Sequence, residues 1–101
     1  MRRLIYLTQA QVDLSHILRY ITRQSGHLDI GVGFVERIKT KCADVARLKA
    51  TLGRPRDDLD SGLRSLPYKD YIILFRYAGD TVEIVTVISS RRDIDALFDE
   101  D

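Results

Sequence analysis

The sequence predicts an α+β domain in which one β-sheet packs against an antiparallel helical hairpin. Two segments in the first half repeat apolar residues at helical spacing, and two runs in the second half are rich in β-branched and aromatic residues. The dipeptide Gly79-Asp80 between those runs is a signal for a β-hairpin turn. The resulting order is β-α-α-β-β-β with a short C-terminal helix, which fits one sheet covered by a helical hairpin.

The length and composition predict one domain over residues 1–101. The chain has 101 residues, of which 45% are hydrophobic and 31% charged. A chain of this size buries enough surface to fold without disulfides or metals, but it has no room for a second core.

The first predicted elements are a strand over residues 4–7 and a helix that starts at Thr8. Thr8 and Gln11 have the spacing of a capping box, in which each side chain bonds an unpaired backbone amide at the start of a helix. Ser25-Gly26 ends the helix. Its apolar stripe consists of Leu14, Ile17, Leu18 and Ile21.

A second helix is predicted after a link of about four residues, with Asp29 as its N-cap. The short link makes the two helices antiparallel. Gly31 and Gly33 disfavour helix, so we expect the helix to be frayed until Phe34, and the alternative is that the glycines allow a close backbone approach. The apolar positions of this helix are Phe34, Ile38, Cys42, Val45, Leu48 and Leu52.

The second half begins where residues 53–55, Gly-Arg-Pro, stop the second helix. Residues 56–61 form a polar loop with Leu59 as its apolar anchor. Residues 62–66 are predicted to be an edge strand, because Pro67 cannot donate a hydrogen bond to a central ladder.

The strands predicted over residues 71–77 and 81–88 are apolar on both faces, which is typical of central positions in a covered sheet. Asp93 is a suitable cap for the short final helix.

Composition excludes several classes of protein. The single cysteine, Cys42, allows neither an internal disulfide nor a cysteine-based zinc site, so a cytoplasmic protein is expected. No apolar run resembles a signal peptide or a membrane span. Residues 1–52 carry nine Lys or Arg and four Asp or Glu, whereas residues 53–101 carry seven and eleven. The acidic second half argues against direct sequence-specific binding of nucleic acid.

The residues that could carry catalysis are few, and we predict no catalytic residue, metal site or cofactor. His16 and His27 lack neighbours at metal-ligand spacing, and both are expected on the surface. Cys42 lies on an apolar stripe, where a free cysteine is usually a core residue. The three acids of the loop, Asp57, Asp58 and Asp60, are expected to be a solvated turn rather than a cation site.

Arginines are the remaining candidates for a binding site. If Arg64 and Arg76 share one face of neighbouring strands, their guanidinium groups form a rigid patch for carboxylates or phosphates. The alternative is pairing within the chain, for example of Arg64 with Asp60, and of Arg91 or Arg92 with the acids that follow them.

Several of these motifs together resemble ParE-type toxins of bacterial toxin–antitoxin modules, within the RelE/ParE superfamily. The resemblance covers nearly the whole chain. Many relatives have His-Gly before the paired arginines, where this chain has Ser89-Ser90, so the role of that histidine does not transfer. The residues that carry the resemblance are Thr8, Ala10, Asp13, Leu14, Ile17, Tyr20, Asp58-Leu59, Gly62-Leu63-Arg64, Tyr68, Tyr71–Tyr77, Ile84–Ile88 and Ser89-Ser90-Arg91-Arg92-Asp93.

The resemblance implies a toxin that inhibits DNA gyrase by binding and that a ParD-like antitoxin neutralises in a hetero-oligomer. Two alternatives remain open. One is a RelE-like ribosome-dependent mRNA endonuclease, which the missing acid–base set disfavours, and the other is a non-toxic binding module of the same fold.

Two sets of residues are assigned to these partners. We expect the antitoxin to bind Arg64, Arg76, Leu14, Leu18 and Tyr71. We expect Arg91 and Arg92, at the end of the sheet, to act in target inhibition.

Overall fold

The computed structural model describes residues 1–91, so Arg92 and the helix predicted after Asp93 lie outside the described residues. The described elements confirm the predicted order, with one additional short strand after the second helix. Their bounds are β1 Arg3–Tyr6, α1 Thr8–Ser25, α2 Leu28–Arg47, β2 Arg54–Pro55, β3 Leu63–Tyr68, β4 Tyr71–Ala78 and β5 Thr81–Ser89.

The five strands form one sheet in the order β1-β5-β4-β3-β2. β1 runs parallel to β5, and the other pairs are antiparallel. β4 and β5 are central, as their two-sided apolar sequences predict. A register shift between Leu74 and Phe75 interrupts their ladder.

α1 begins at Thr8, but the predicted capping box is wrong. Leu7 occupies the N-cap position without a side-chain hydrogen bond. The side chain of Gln11 reaches back to the carbonyl of Tyr6 at 2.9 Å instead. The helix ends as predicted at Gly26, whose left-handed φ of 77° suits a glycine.

α2 is regular from Leu28, so the expected frayed start is wrong. Gly31 is buried where α2 approaches α1, and a Cβ built there would overlap the Thr22 hydroxyl and lie 3.0 Å from the carbonyl oxygen of Leu18. This contact is the close approach considered as the alternative. Packing against α1 therefore stabilises the first turns of α2 despite the low helix propensity of glycine.

α2 ends at Arg47, five residues before the predicted end at Leu52. The chain turns extended at Leu48, and Arg2 holds this turn with hydrogen bonds to the carbonyls of Leu48 and Lys49 at 2.9 and 3.3 Å. The Arg2 guanidinium also lies 4.5 Å above the ring of Tyr77. The contacts of Arg2, the residue before β1, thus hold the chain at the point where the helix ends, although the apolar pattern continues to Leu52.

β3 is not the edge strand along its whole length, in contrast to the prediction. β2 pairs with its first half, through Arg54 with Ser65 and Pro55 with Arg64. Pro67 lies beyond that pairing, where its missing N–H costs no ladder bond.

The sheet is apolar on both faces. The face toward the helices forms the main core, in which Phe75, Ile84 and Val82 pack against Ile38 and Ile17. A smaller cluster of Leu63, Leu74 and Ile88 lies on the opposite face. Leu59 packs on that cluster, which confirms it as the anchor of the polar loop. Neither helix of the described part is long and apolar enough to cross a membrane.

Candidate functional site

Arg64 and Arg76 project from opposite faces of the sheet. Arg64 lies opposite Phe75 in the β3–β4 ladder, on the helix side, whereas Arg76 lies opposite Leu63, on the other side. The shared arginine patch considered from the sequence is therefore wrong.

The guanidinium of Arg64 is bound within the chain. It donates to the carbonyl oxygens of Leu52 and Gly53 at 2.7 and 2.9 Å, and the side chain is half-buried. Tyr77 contributes to the same anchor, because its hydroxyl accepts a hydrogen bond from the amide of Leu52 at 2.8 Å. These contacts fix the segment between α2 and β2.

Arg76 lies between two carboxylates. Its Nε is 3.2 Å from Glu83, without the alignment of a hydrogen bond, and its Nη1 is 3.8 Å from Asp60. All three side chains are partly exposed, so these ion pairs contribute little to stability. They leave Arg76 accessible to a partner that offers a better-placed carboxylate.

A groove of about 490 Å³, the hairpin groove, runs between α1 and α2. Leu14, Leu18 and Val35 line it together with Tyr6, Gln11, Ser15 and Lys39. Leu14 is buried and Leu18 half-buried, so the two leucines predicted to bind an antitoxin do lie together in an open groove. The apolar lining with polar residues among it suits an amphipathic segment.

Cys42 is fully buried, whereas Tyr6 is half-buried and lines the hairpin groove. Burial raises the pKa of the Cys42 thiol to about 11, and the hydrogen bond to Tyr6 lowers it by a smaller amount. Burial also raises the pKa of Tyr6 well above its usual value. Cys42 is therefore an uncharged thiol at neutral pH, and its position in the core is as predicted.

A second, larger cleft of about 630 Å³ opens at the other end of α1. We call it the aromatic cleft. It contains Tyr71 and Arg91, which the sequence assigned to two different partners. Its lining consists of Tyr20, Ile21, Phe34, Lys69, Asp70, Tyr71, Ser89 and Arg91.

The position of Arg91 follows from the residues before it. The backbone N–H and the hydroxyl of Ser90 both donate to the carbonyl of Asp70, at 2.8 and 3.1 Å. The hydroxyl of Ser89 accepts a hydrogen bond from the amide of Arg91 at 3.3 Å. The Ser89-Ser90 pair thus holds the end of β5 against the β3–β4 turn and brings Arg91 to the cleft.

Burial raises the pKa of Tyr71, with smaller contributions from Tyr20 and Asp70. Its phenol is therefore a neutral hydrogen-bond donor or acceptor at physiological pH.

Asp13 binds the part of β5 that extends beyond β1, beside the aromatic cleft. Its carboxylate accepts hydrogen bonds from the Thr86 hydroxyl and from the amide of Val87, the latter at 3.0 Å. β1 ends opposite Ile84, so Asp13 satisfies a strand amide beyond the reach of β1. Asp13 also lines a small cleft of about 190 Å³ with His16 and Tyr20.

The other candidates from the sequence have structural or solvent-facing positions. His16 and His27 are exposed, as predicted. In the loop, Asp57 accepts a hydrogen bond from the amide of Gly62 at 2.9 Å, and Arg56 binds Asp58 and lowers its pKa. Within residues 1–91 no group of three or more His, Cys, Asp or Glu is arranged to hold a metal ion.

The fold is shared with a solved chain described as the chromosomal ParDE TA system from P. aeruginosa. The two have a TM-score of 0.77 at 21% identity, over 88% of this chain and 96% of that chain. The molecule is thus a small α+β protein of the class in which a helical hairpin covers a mixed sheet.

The sequence comparisons specify the family. Residues 4–94 match the family model described as the ParE toxin of the type II toxin-antitoxin system parDE. Toxin ParE3 of Caulobacter vibrioides is 30% identical over 98 residues, which are 95% of this chain and 94% of that protein. The chain belongs to the ParE toxin family of type II toxin–antitoxin systems.

Sequence reasoning did not assign Tyr20, Phe34, Lys69 or Asp70 to a binding site, although all four line the aromatic cleft. They come from α1, α2 and the β3–β4 turn. The resemblance had included Tyr20 in the family's first helix, which was the one available signal. Lys69 and Asp70 form a turn without glycine or asparagine, so no turn motif indicated them.

Proposed function

We propose that this chain inhibits DNA gyrase by binding it and that a ParD-like antitoxin holds it inactive in a hetero-oligomer. The observation that carries the proposal is the match of residues 4–94 to the ParE toxin family. The proposed action needs binding surfaces rather than acid–base chemistry, and the cytoplasm is the compartment in which the chain would meet DNA gyrase.

The hairpin groove is the proposed antitoxin surface. Its apolar lining, Leu14, Leu18 and Val35, lies beside Lys39. This arrangement favours an acidic antitoxin segment that folds into an amphipathic helix on binding, with apolar residues directed into the groove and carboxylates toward the lysine.

The remaining antitoxin contacts predicted from the sequence are kept as proposals. Arg76 can exchange its weak ion pairs for carboxylates of the antitoxin. Arg64 would have to give up two short hydrogen bonds to backbone carbonyls, so of the two arginines it is the weaker candidate. Tyr71 would contact the antitoxin from the aromatic cleft.

Arg91 and Arg92 are the proposed target contacts. Arg91 is exposed at the rim of the aromatic cleft, where its permanently charged guanidinium can bind a carboxylate of another protein.

Induction in bacterial cells tests the proposed function. The chain alone should cause filamentation and DNA-damage signalling while messenger RNA stays intact, and expression with the antitoxin from the neighbouring gene should restore growth. An Arg91→Gln variant should be less toxic at equal expression, because it removes the charge without enlarging the cleft.

Two results would contradict the proposal. Ribosome-dependent cleavage of messenger RNA in induced cells would indicate a RelE-like nuclease. Normal growth with folded, soluble chain present would indicate a binding module without toxicity.

A further inference from the structure

The aromatic cleft combines an apolar interior with cations. Ile21, Phe34 and Tyr71 supply the apolar surface, and Lys69 and Arg91 are exposed cations that line the same cleft. Among the described residues that line the cleft, Asp70 is the only acid. The charge balance therefore favours an anionic partner with an apolar part.

The apolar interior is preformed. Phe34 packs edge-on against Tyr68 and Tyr71, with ring centroids 5.8 and 5.7 Å apart. These contacts join α2 to the β3–β4 hairpin and hold the rings in place. A partner that enters the cleft would lose less free energy in ordering these side chains than it would on a loose surface.

The cationic residues are held by the backbone. Lys69 has a left-handed φ of 53° in the β3–β4 turn. Ser90 binds that turn through the carbonyl of Asp70, and Arg91 follows directly. The hydrogen bonds that close the end of the sheet thus keep both cations at one cleft.

We propose that the aromatic cleft is a docking site for an acidic protein segment that inserts one bulky apolar side chain. The inserted side chain would contact Phe34 and Tyr71, and flanking carboxylates would bind Lys69 and Arg91. A nucleic acid fits less well, because a base needs an open ring face on which to stack and Phe34 already uses its ring against two tyrosines.

A regulatory consequence follows, and it rests on the proposed function. Tyr71 was assigned to the antitoxin and Arg91 to the target, yet both line this cleft. Two partners that each insert a segment here exclude one another. Neutralisation would then include direct blocking of the target contact.

Short labelled peptides test the docking site without an antitoxin or gyrase. The probe is fluorescein-labelled Asp-Glu-Phe-Asp-Glu, and binding to the purified full chain is followed by fluorescence polarisation. Three comparison probes are the same peptide with Ala in place of Phe, a peptide with Lys flanking the Phe, and a pentathymidine oligonucleotide. The acidic Phe peptide should bind about fivefold more tightly than each comparison probe, equivalent to about 1 kcal/mol.

Variants locate the binding. Lys69→Asn combined with Arg91→Gln should weaken the acidic Phe peptide about fivefold or more, because both cations are lost while asparagine tolerates the left-handed turn. Tyr20→Ala removes an exposed side chain that lines the cleft, and it should also weaken binding of the acidic Phe peptide. Lys41→Asn, at an exposed lysine of α2 that lines neither the aromatic cleft nor the hairpin groove, is the matched control and should leave the affinity unchanged.

Three outcomes would overturn the proposal. Equal affinity of the Ala peptide would show that no apolar side chain is inserted. Tighter binding of pentathymidine, lost in the Lys69/Arg91 double variant, would show a nucleic-acid site. Sensitivity to Lys39→Asn alone would place the peptide in the hairpin groove. Because these assays contain no gyrase, a failed gyrase experiment would leave the docking result standing.

Discussion

At Arg64 a single guanidinium binds two carbonyl oxygens, of Leu52 and Gly53, and so ties β3 to the segment after α2. We expect Arg64→Ala to lower the free energy of unfolding by about 1–3 kcal/mol, since two half-buried, charge-assisted hydrogen bonds are lost. Arg64→Lys should recover only part of this free energy, because an ammonium group cannot bind both oxygens in the way that the planar guanidinium does. Urea unfolding measures both.

The exposed Arg54 on β2 provides the control for Arg64, and Arg54→Ala should change the unfolding free energy by less than about 0.5 kcal/mol. If Arg64→Ala unfolds like the parent chain and yet loses antitoxin binding, the guanidinium serves a partner, as the sequence analysis expected.

Ionisation of Cys42 should lower the free energy of unfolding at alkaline pH. Its pKa of about 11 in the fold exceeds the value of about 9 for an exposed thiol, so the folded chain favours the neutral form. The stabilisation is complete below about pH 9 and is lost as the pH rises through about 11, where the unfolded chain gains from ionisation. Through Cys42 alone, the free energy of unfolding should decrease by about 2–3 kcal/mol.

Unfolding measured across this pH range in the parent chain and in Cys42→Ala checks the expectation. The variant should be less stable at neutral pH but show a shallower alkaline decline, to which Tyr6 and Tyr71, whose pKa values are also raised, contribute the remainder. Parallel declines in the two proteins would show that Cys42 ionises equally in the folded and unfolded chains.

At the scale of the elements, the contact between α1 and α2 depends on one of two glycines. Gly31→Ala would place a methyl group against the Thr22 hydroxyl and the Leu18 carbonyl, and we expect a loss of about 1–3 kcal/mol. Gly33→Ala meets only the flexible end of Arg37, at 3.5 Å, and should gain about 0.5–1 kcal/mol from helix propensity. Thermal unfolding of the two variants should therefore shift in opposite directions, and equal shifts would refute the close packing.

The hairpin groove gives a second prediction at this scale. Leu18→Asp should weaken antitoxin binding about tenfold or more, because it places a charge in the apolar part of the groove. Val12 lies on the same helix, is 41% exposed and does not line the groove, so Val12→Asp is the matched control. Isothermal titration with the antitoxin distinguishes them, and equal affinities would mean that the antitoxin binds elsewhere.

The elements show which parts of the fold the sequence could predict. Local periodicity was sufficient for α1 and for β4 and β5, because each has a regular apolar pattern of its own. The start of α2 depends on the close packing of Gly31 against α1, and the end of α2 depends on hydrogen bonds from Arg2. Neither contact can be read from the local sequence. Long-range packing decided both boundaries.

The faces of Arg64 and Arg76 depended on register. The two-residue turn at Lys69-Asp70 places Tyr68 opposite Tyr71 and thereby fixes every later pair. Lys-Asp lacks the glycine or asparagine that marks most such turns, so the register was not predicted and the arginines were placed together.

At the scale of the whole molecule, the aromatic cleft could not be predicted because it assembles from four separate elements. Its residues come from α1, α2, the β3–β4 hairpin, which supplies both the turn and Tyr71, and the end of β5. The chemical character of each residue was visible in the sequence, but their proximity follows only from the complete fold. The hairpin groove was easier, since Leu14 and Leu18 lie on one predicted stripe.

Inhibition of purified DNA gyrase is the most direct test of the central claim. The folded chain should reduce supercoiling of a relaxed plasmid in a concentration-dependent way, and prior addition of the ParD-like antitoxin should restore it. Arg91→Gln should require more protein for the same inhibition, while Arg54→Gln, which removes an exposed arginine from the edge strand β2, should match the parent chain. Full supercoiling at a large excess of folded chain would contradict the account.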